Sequence, residues 1–70
     1  MTHSVTQESY WTLYVTTKDP DRFIPATGWR IIATPSALKA RVAHMEREEK
    51  VTVTEVRDEL GMKIKERNWR

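Results

Sequence analysis

Val51-Thr52-Val53-Thr54-Glu55-Val56 can be read in two ways, and the architecture turns on which one holds. As a strand, the segment is almost wholly β-branched, and Val51 and Val53 alternate against Thr52 and Thr54 with the period of two that a pleated sheet imposes. As a helix, Thr52 and Glu55 would form a capping box, Val51 and Val56 a hydrophobic staple, and Gly61 would end the element after Leu60. β-Branched residues lose side-chain freedom in a helix, and a short helix has few residues with which to offset its nucleation. The strand reading is therefore preferred. Asp58-Glu59-Leu60-Gly61 then becomes a hairpin turn, and Met62 to Arg70 returns as a strand with Met62 and Ile64 inward. Lys63, Lys65, Arg67 and Trp69 would line its other face.

Upstream, Trp29-Arg30-Ile31-Ile32-Ala33 is aromatic and β-branched, which suits a half-buried strand. Thr34 and Pro35 follow: a hydroxyl able to cap an orphan amide, and a residue whose missing N–H costs nothing at a helix start. The spacing of Leu38, Val42 and Met45 predicts a helix over Ala37 to Glu48 with one apolar stripe to lay on a sheet. Glu48-Glu49-Lys50 is the turn that leads out of it. Nearer the N-terminus, Ser9 to Thr17 alternates Trp11, Leu13 and Val15 against Tyr10, Thr12 and Tyr14, and is the clearest strand in the chain. Between the first two strands, Asp19-Pro20-Asp21 signals a turn, while Pro25 and Gly28 exclude a regular element.

These pieces predict an α+β fold, a small single domain of β-β-α-β(-β) order with one helix packed on a three- or four-stranded sheet. Residues 1–8 are expected to form a polar, frayed tail and 9–70 the domain. The expected core is Trp11, Leu13, Val15, Ile31, Ala33, Leu38, Val42, Met45, Val51 and Val53. In the long loop, Phe23 and Ile24 either tuck back over the sheet edge or stand out as a contact point.

With 70 residues and no cysteine, the chain has neither disulfides nor thiolate-held metals to supplement a small core. Self-association or docking on a partner is the remaining way to bury more apolar surface. Twelve Lys and Arg against ten Asp and Glu leave a net charge of +2, well short of a dedicated polyanion binder. Neither a secretory leader nor a run of roughly 20 apolar residues appears, so a cytoplasmic protein is expected.

No catalytic constellation can be assembled. His3 and His44 are far apart and without ligand spacing, Ser4, Ser9 and Ser36 lack a partnering base, and two glycines cannot build a phosphate loop. No enzyme, cofactor or metal is therefore expected.

Two binding functions compete. A short, cysteine-free domain with surplus aromatics and one long loop resembles in general character the small inhibitors that bacterial viruses and mobile elements direct at host proteins. That resemblance implies a non-enzymatic protein-binding module, with Tyr10, Tyr14, Arg22, Phe23, Ile24 and Trp69 as contact residues. The alternative is a nucleic-acid regulator. Lys63, Lys65, Arg67 and Arg70 would supply phosphate contacts beside the Trp69 ring. On the rival helix assignment, Thr52 to Met62 resembles the front half of a helix-turn-helix, departing from it at Arg57 and Arg67.

Overall fold

The structure is a computed structural model that describes residues 7–70. Four strands and one helix follow in the order β1 (Ser9–Thr17), β2 (Trp29–Ala33), α1 (Leu38–Glu48), β3 (Val51–Arg57) and β4 (Lys63–Ile64). The strands form one antiparallel sheet in the spatial order β2-β1-β3-β4. Since β2 and β3 each run antiparallel to β1, they run parallel to one another, and α1 carries the chain across β1 from one side to the other. The α+β class and the β-β-α-β-β order expected from the sequence both hold. Of the frayed tail expected over residues 1–8, all but Gln7 and Glu8 lies outside the described residues.

The strand-to-helix handover follows the local chemistry. Thr34 Oγ1 accepts a hydrogen bond from the Ala37 amide at 3.1 Å, and Pro35 opens a 3₁₀ turn, Pro35–Ala37, that runs into α1. Leu38 and Val42 are buried on the sheet, with Met45 half-buried beside them. They meet Trp11 and Leu13 from β1, Ile31 and Ala33 from β2, and Val53 and Val56 from β3. The buried Trp11 indole donates to the Ala33 carbonyl at 2.9 Å, so its one polar atom does not go unpaired.

Val56 enters the core because β3 carries a bulge. Tyr14 stands opposite Glu55 and Val15 opposite Val53, which leaves Thr54 without a partner on β1. One extra residue reverses the inside-outside phase of a strand. Val51, Val53 and Val56 therefore all point inward although their spacing changes from two to three, while Thr54 Oγ1 donates to the Tyr14 carbonyl at 3.0 Å.

The C-terminal segment departs from expectation. Its strand is only Lys63–Ile64, after which a 3₁₀ turn, Glu66–Asn68, lifts the chain off the sheet. Met62 is exposed rather than inward, and Ile64 is half-buried. Trp69, expected on an outer face, is instead 2% exposed and joins the core cluster that includes Val42, with Nε1 donating to the Ile64 carbonyl at 3.1 Å. Period-two alternation presumes an unbroken extended backbone. Here the turn swings the large indole to where it buries most of its apolar area. No helix among the described residues is long and apolar enough to cross a membrane.

Candidate functional site

Among the described residues α1 packs on one face of the sheet, and the cross-strand register decides what the other face presents. Residues opposite one another on neighbouring strands share a face. Thr12 pairs with Arg30 on one side and Arg57 on the other, and Arg57 pairs with Lys63, so one rung reads Arg30-Thr12-Arg57-Lys63 across all four strands. Along β1, Tyr10 and Tyr14 flank Thr12 on that face. Tyr10 sits opposite Ile32 and Tyr14 opposite Glu55. Of these, Tyr10, Thr12, Tyr14, Arg30 and Arg57 border an open groove of about 430 Å³, with Asp58, Glu59 and Gly61 from the hairpin turn at one end.

The two arginines of the rung are held differently. Arg57 donates from Nε to the Glu55 carboxylate and lies over the Tyr14 ring, 5.5 Å from its centroid. Its hydrogen bond to Glu55, reinforced by the carboxylate's charge, raises the guanidinium pKa above its already high ordinary value. Arg30 is exposed and makes no ion pair among the described residues. At the rim, Asp58 is committed to the turn: Oδ1 accepts from the amides of Leu60 and Met62 at 3.0 and 2.8 Å. Gly61, at φ 83°, completes that turn in the left-handed conformation that favours glycine.

The long loop forms a second exposed feature. Arg22 pairs with Glu49 at 2.7 Å, donates to the Glu49 carbonyl at 3.1 Å, and lies over the Trp29 ring at 5.2 Å from its centroid. That side chain pins the loop to the end of α1. Its neighbour Phe23 is 83% exposed, so it stands out rather than tucking over the core, while Ile24 is half-buried.

Among the residues expected to bind protein, Tyr10 and Tyr14 thus lie on the uncovered sheet face, and Arg22, Phe23 and Ile24 on the anchored loop. Trp69 is inside the core and cannot serve as a contact. The basic row expected for nucleic acid does not form. Lys63 joins the open-face rung, Lys65 and Arg67 are exposed beyond the end of β4, and Arg70 is paired with Glu46 and Glu66 at 3.1 and 2.9 Å. Sequence reading missed Arg30, Ile32 and Arg57 as companions of the tyrosines. Each lies on a different strand from the tyrosines, so only the strand pairing reveals the cluster. His44 is exposed on α1, and no group of three or more potential metal ligands occurs among the described residues. Comparison with protein-family models, curated proteins and solved structures returns no match to this chain.

Proposed function

We propose that this domain is a non-enzymatic protein-binding module that engages its partner through the uncovered face of the sheet. One observation carries the reading: Tyr10 and Tyr14 stand on the central strand, joined by Ile32, Arg30 and Arg57, on a face that no helix covers among the described residues. Tyrosine and arginine are among the side chains enriched at protein interfaces, since each combines large contact area with a polar end. The charge on this face is mixed. Glu55 and Glu59 interrupt the cations, whereas a groove for single-stranded nucleic acid follows the backbone with continuous positive charge. Protein is therefore the better-matched partner. A small inhibitor of a host protein, of the kind made by bacterial viruses, is the class of module this fits, with the anchored Phe23 loop as an accessory contact.

Photo-crosslinking tests the face directly. A photoreactive side chain at Tyr10 or Ile32 should yield a crosslinked protein in nuclease-treated bacterial lysate, and the same group at Lys39, on the outside of α1, should not. Crosslinks at Lys39 equal to those at Tyr10, or products that vanish with nuclease, would overturn the assignment.

A further inference from the structure

The two arginines that flank Thr12 give the face a more specific chemistry. In the sheet their Cα positions are roughly 10 Å apart, two inter-strand spacings, with the Thr12 side chain between them on the same face. Arg57 spends Nε on Glu55 and is steadied by the Tyr14 ring, so its direction is set before any ligand arrives while both Nη groups remain for another acceptor. Arg30 supplies to the same groove a second guanidinium, one without an ion pair among the described residues. Guanidinium groups match a carboxylate in shape as well as charge.

We infer that Arg30, Thr12 and Arg57 form a clamp for a carboxylate side chain, so that the partner presents an acidic segment to this face, its aspartate or glutamate seated between Tyr10 and Tyr14. The inference rests on the protein-binding reading and deepens it. Charge complementarity commits the occupant. A single carboxylate satisfies the two arginines, and Glu59 at the groove's end and Glu55 beside Arg57 would repel the further charges of a polyphosphate chain. The same acids disfavour a long acidic run, so the segment is a short acidic stretch with one of its carboxylates seated at the clamp.

The test uses the full chain with ¹⁵N-labelled arginine and threonine, followed by NMR at low salt. The probe is a capped triglutamate peptide, with capped triglutamine and a twelve-residue oligothymidylate as comparisons. Triglutamate should shift the Arg30 and Arg57 Nε signals and the Thr12 amide saturably, and triglutamine should not. R30Q and R57Q should each weaken the response about three- to tenfold, and R57K should fail like R57Q because ammonium lacks the fork. R47Q, on α1, should change nothing. Shifts that are absent in the parent chain, or a saturable Thr12 amide shift that survives in the R30Q/R57Q double variant, would overturn the clamp. Tighter saturation by oligothymidylate at the same signals would also overturn it and return the face to nucleic acid. The clamp and the reading beneath it fail separately: Tyr10 crosslinks that persist undiminished in the double variant sink the clamp alone. Loss of every protein crosslink while triglutamate still titrates sinks the protein-binding reading alone.

Discussion

Glu46 and Arg70 pair at 3.1 Å and together take both hydrogen-bonding groups of Val53 on the outer side of β3: Glu46 Oε2 accepts from the Val53 amide at 2.8 Å, and Arg70 Nη2 donates to the Val53 carbonyl. β4 covers only Val56 and Arg57, so among the described residues the first half of β3 is a sheet edge without a neighbouring strand on that side. An unprotected edge is a template for pairing with other chains, and here two side chains take the place of the missing strand.

Removing that arrangement should have a measurable cost. Glu46→Ala leaves the part-buried Val53 amide without its acceptor and is expected to destabilise the domain by about 1–2 kcal/mol, read as a lower urea midpoint at unchanged slope. Glu46→Gln should cost less, because an amide oxygen still accepts. In a double-mutant cycle with Arg70→Ala, the coupling should be well under the cost of Glu46→Ala itself, since both side chains are partly exposed. Additivity of Glu46→Ala and Arg70→Ala within error would show that the two act on Val53 independently.

Trp69→Ala should be far more damaging. It removes the largest of the fully buried side chains, and large-to-small aromatic changes in cores cost about 3–5 kcal/mol. A domain of this size is stabilised by only about 4–10 kcal/mol in all. The variant is expected to lose roughly half of that stability, read as a large drop in melting temperature by circular dichroism. Trp69→Phe keeps much of the packing and should remain folded with a lower melting temperature. A fully stable Trp69→Ala variant would contradict the buried placement.

The elements that local chemistry dictates were legible in the sequence, and those that depend on the chain changing direction were not. Val51 to Val56 is a strand as its β-branching implies, Thr34 caps as its position implies, and Asp58 to Gly61 turns as its residues imply. The bulge at Thr54 carries no residue signature of its own, yet it decides that Val56 is core. Trp69 misled because a strand pattern was extended through Glu66–Asn68, where the backbone leaves the sheet. The candidate face was half visible: Tyr10 and Tyr14 declare themselves by alternation, whereas Arg30 and Arg57 join them only through the pairing of β1 with β2 and β3.

The two glycines should respond differently to alanine. Both have φ 83°, where an L side chain is strained by about 1–2 kcal/mol. At Gly61 a Cβ would meet nothing within 4 Å, so Gly61→Ala should cost about 1 kcal/mol. At Gly28 the same atom would come within 2.8 Å of the Leu13 carbonyl oxygen, a backbone atom of the central strand that cannot easily give way. Gly28→Ala is therefore expected to cost about 2–3 kcal/mol, with the loss visible in urea titrations of the two variants side by side. Equal losses would mean that the backbone near Leu13 relaxes freely.

Lys50 offers the opposite sign. It follows α1 with φ 57°, the only non-glycine in the left-handed region among the described residues, in the position where helices most often end on glycine. The geometry is imposed by its surroundings: Glu49 still donates to the Met45 carbonyl at 2.8 Å, and one residue later Val51 must enter β3 with its side chain buried. Lysine meets that demand at a steric cost that glycine avoids, partly offset by glycine's greater freedom in the unfolded chain. The Lys50 side chain is exposed and makes no ion pair among the described residues, so little is lost with it. Lys50→Gly should therefore stabilise the domain by about 0.5–1 kcal/mol, raising the urea midpoint while leaving the sheet face and its crosslinking unchanged. A destabilised Lys50→Gly variant would show that the lysine stem packs against the sheet end in a way that outweighs the backbone strain.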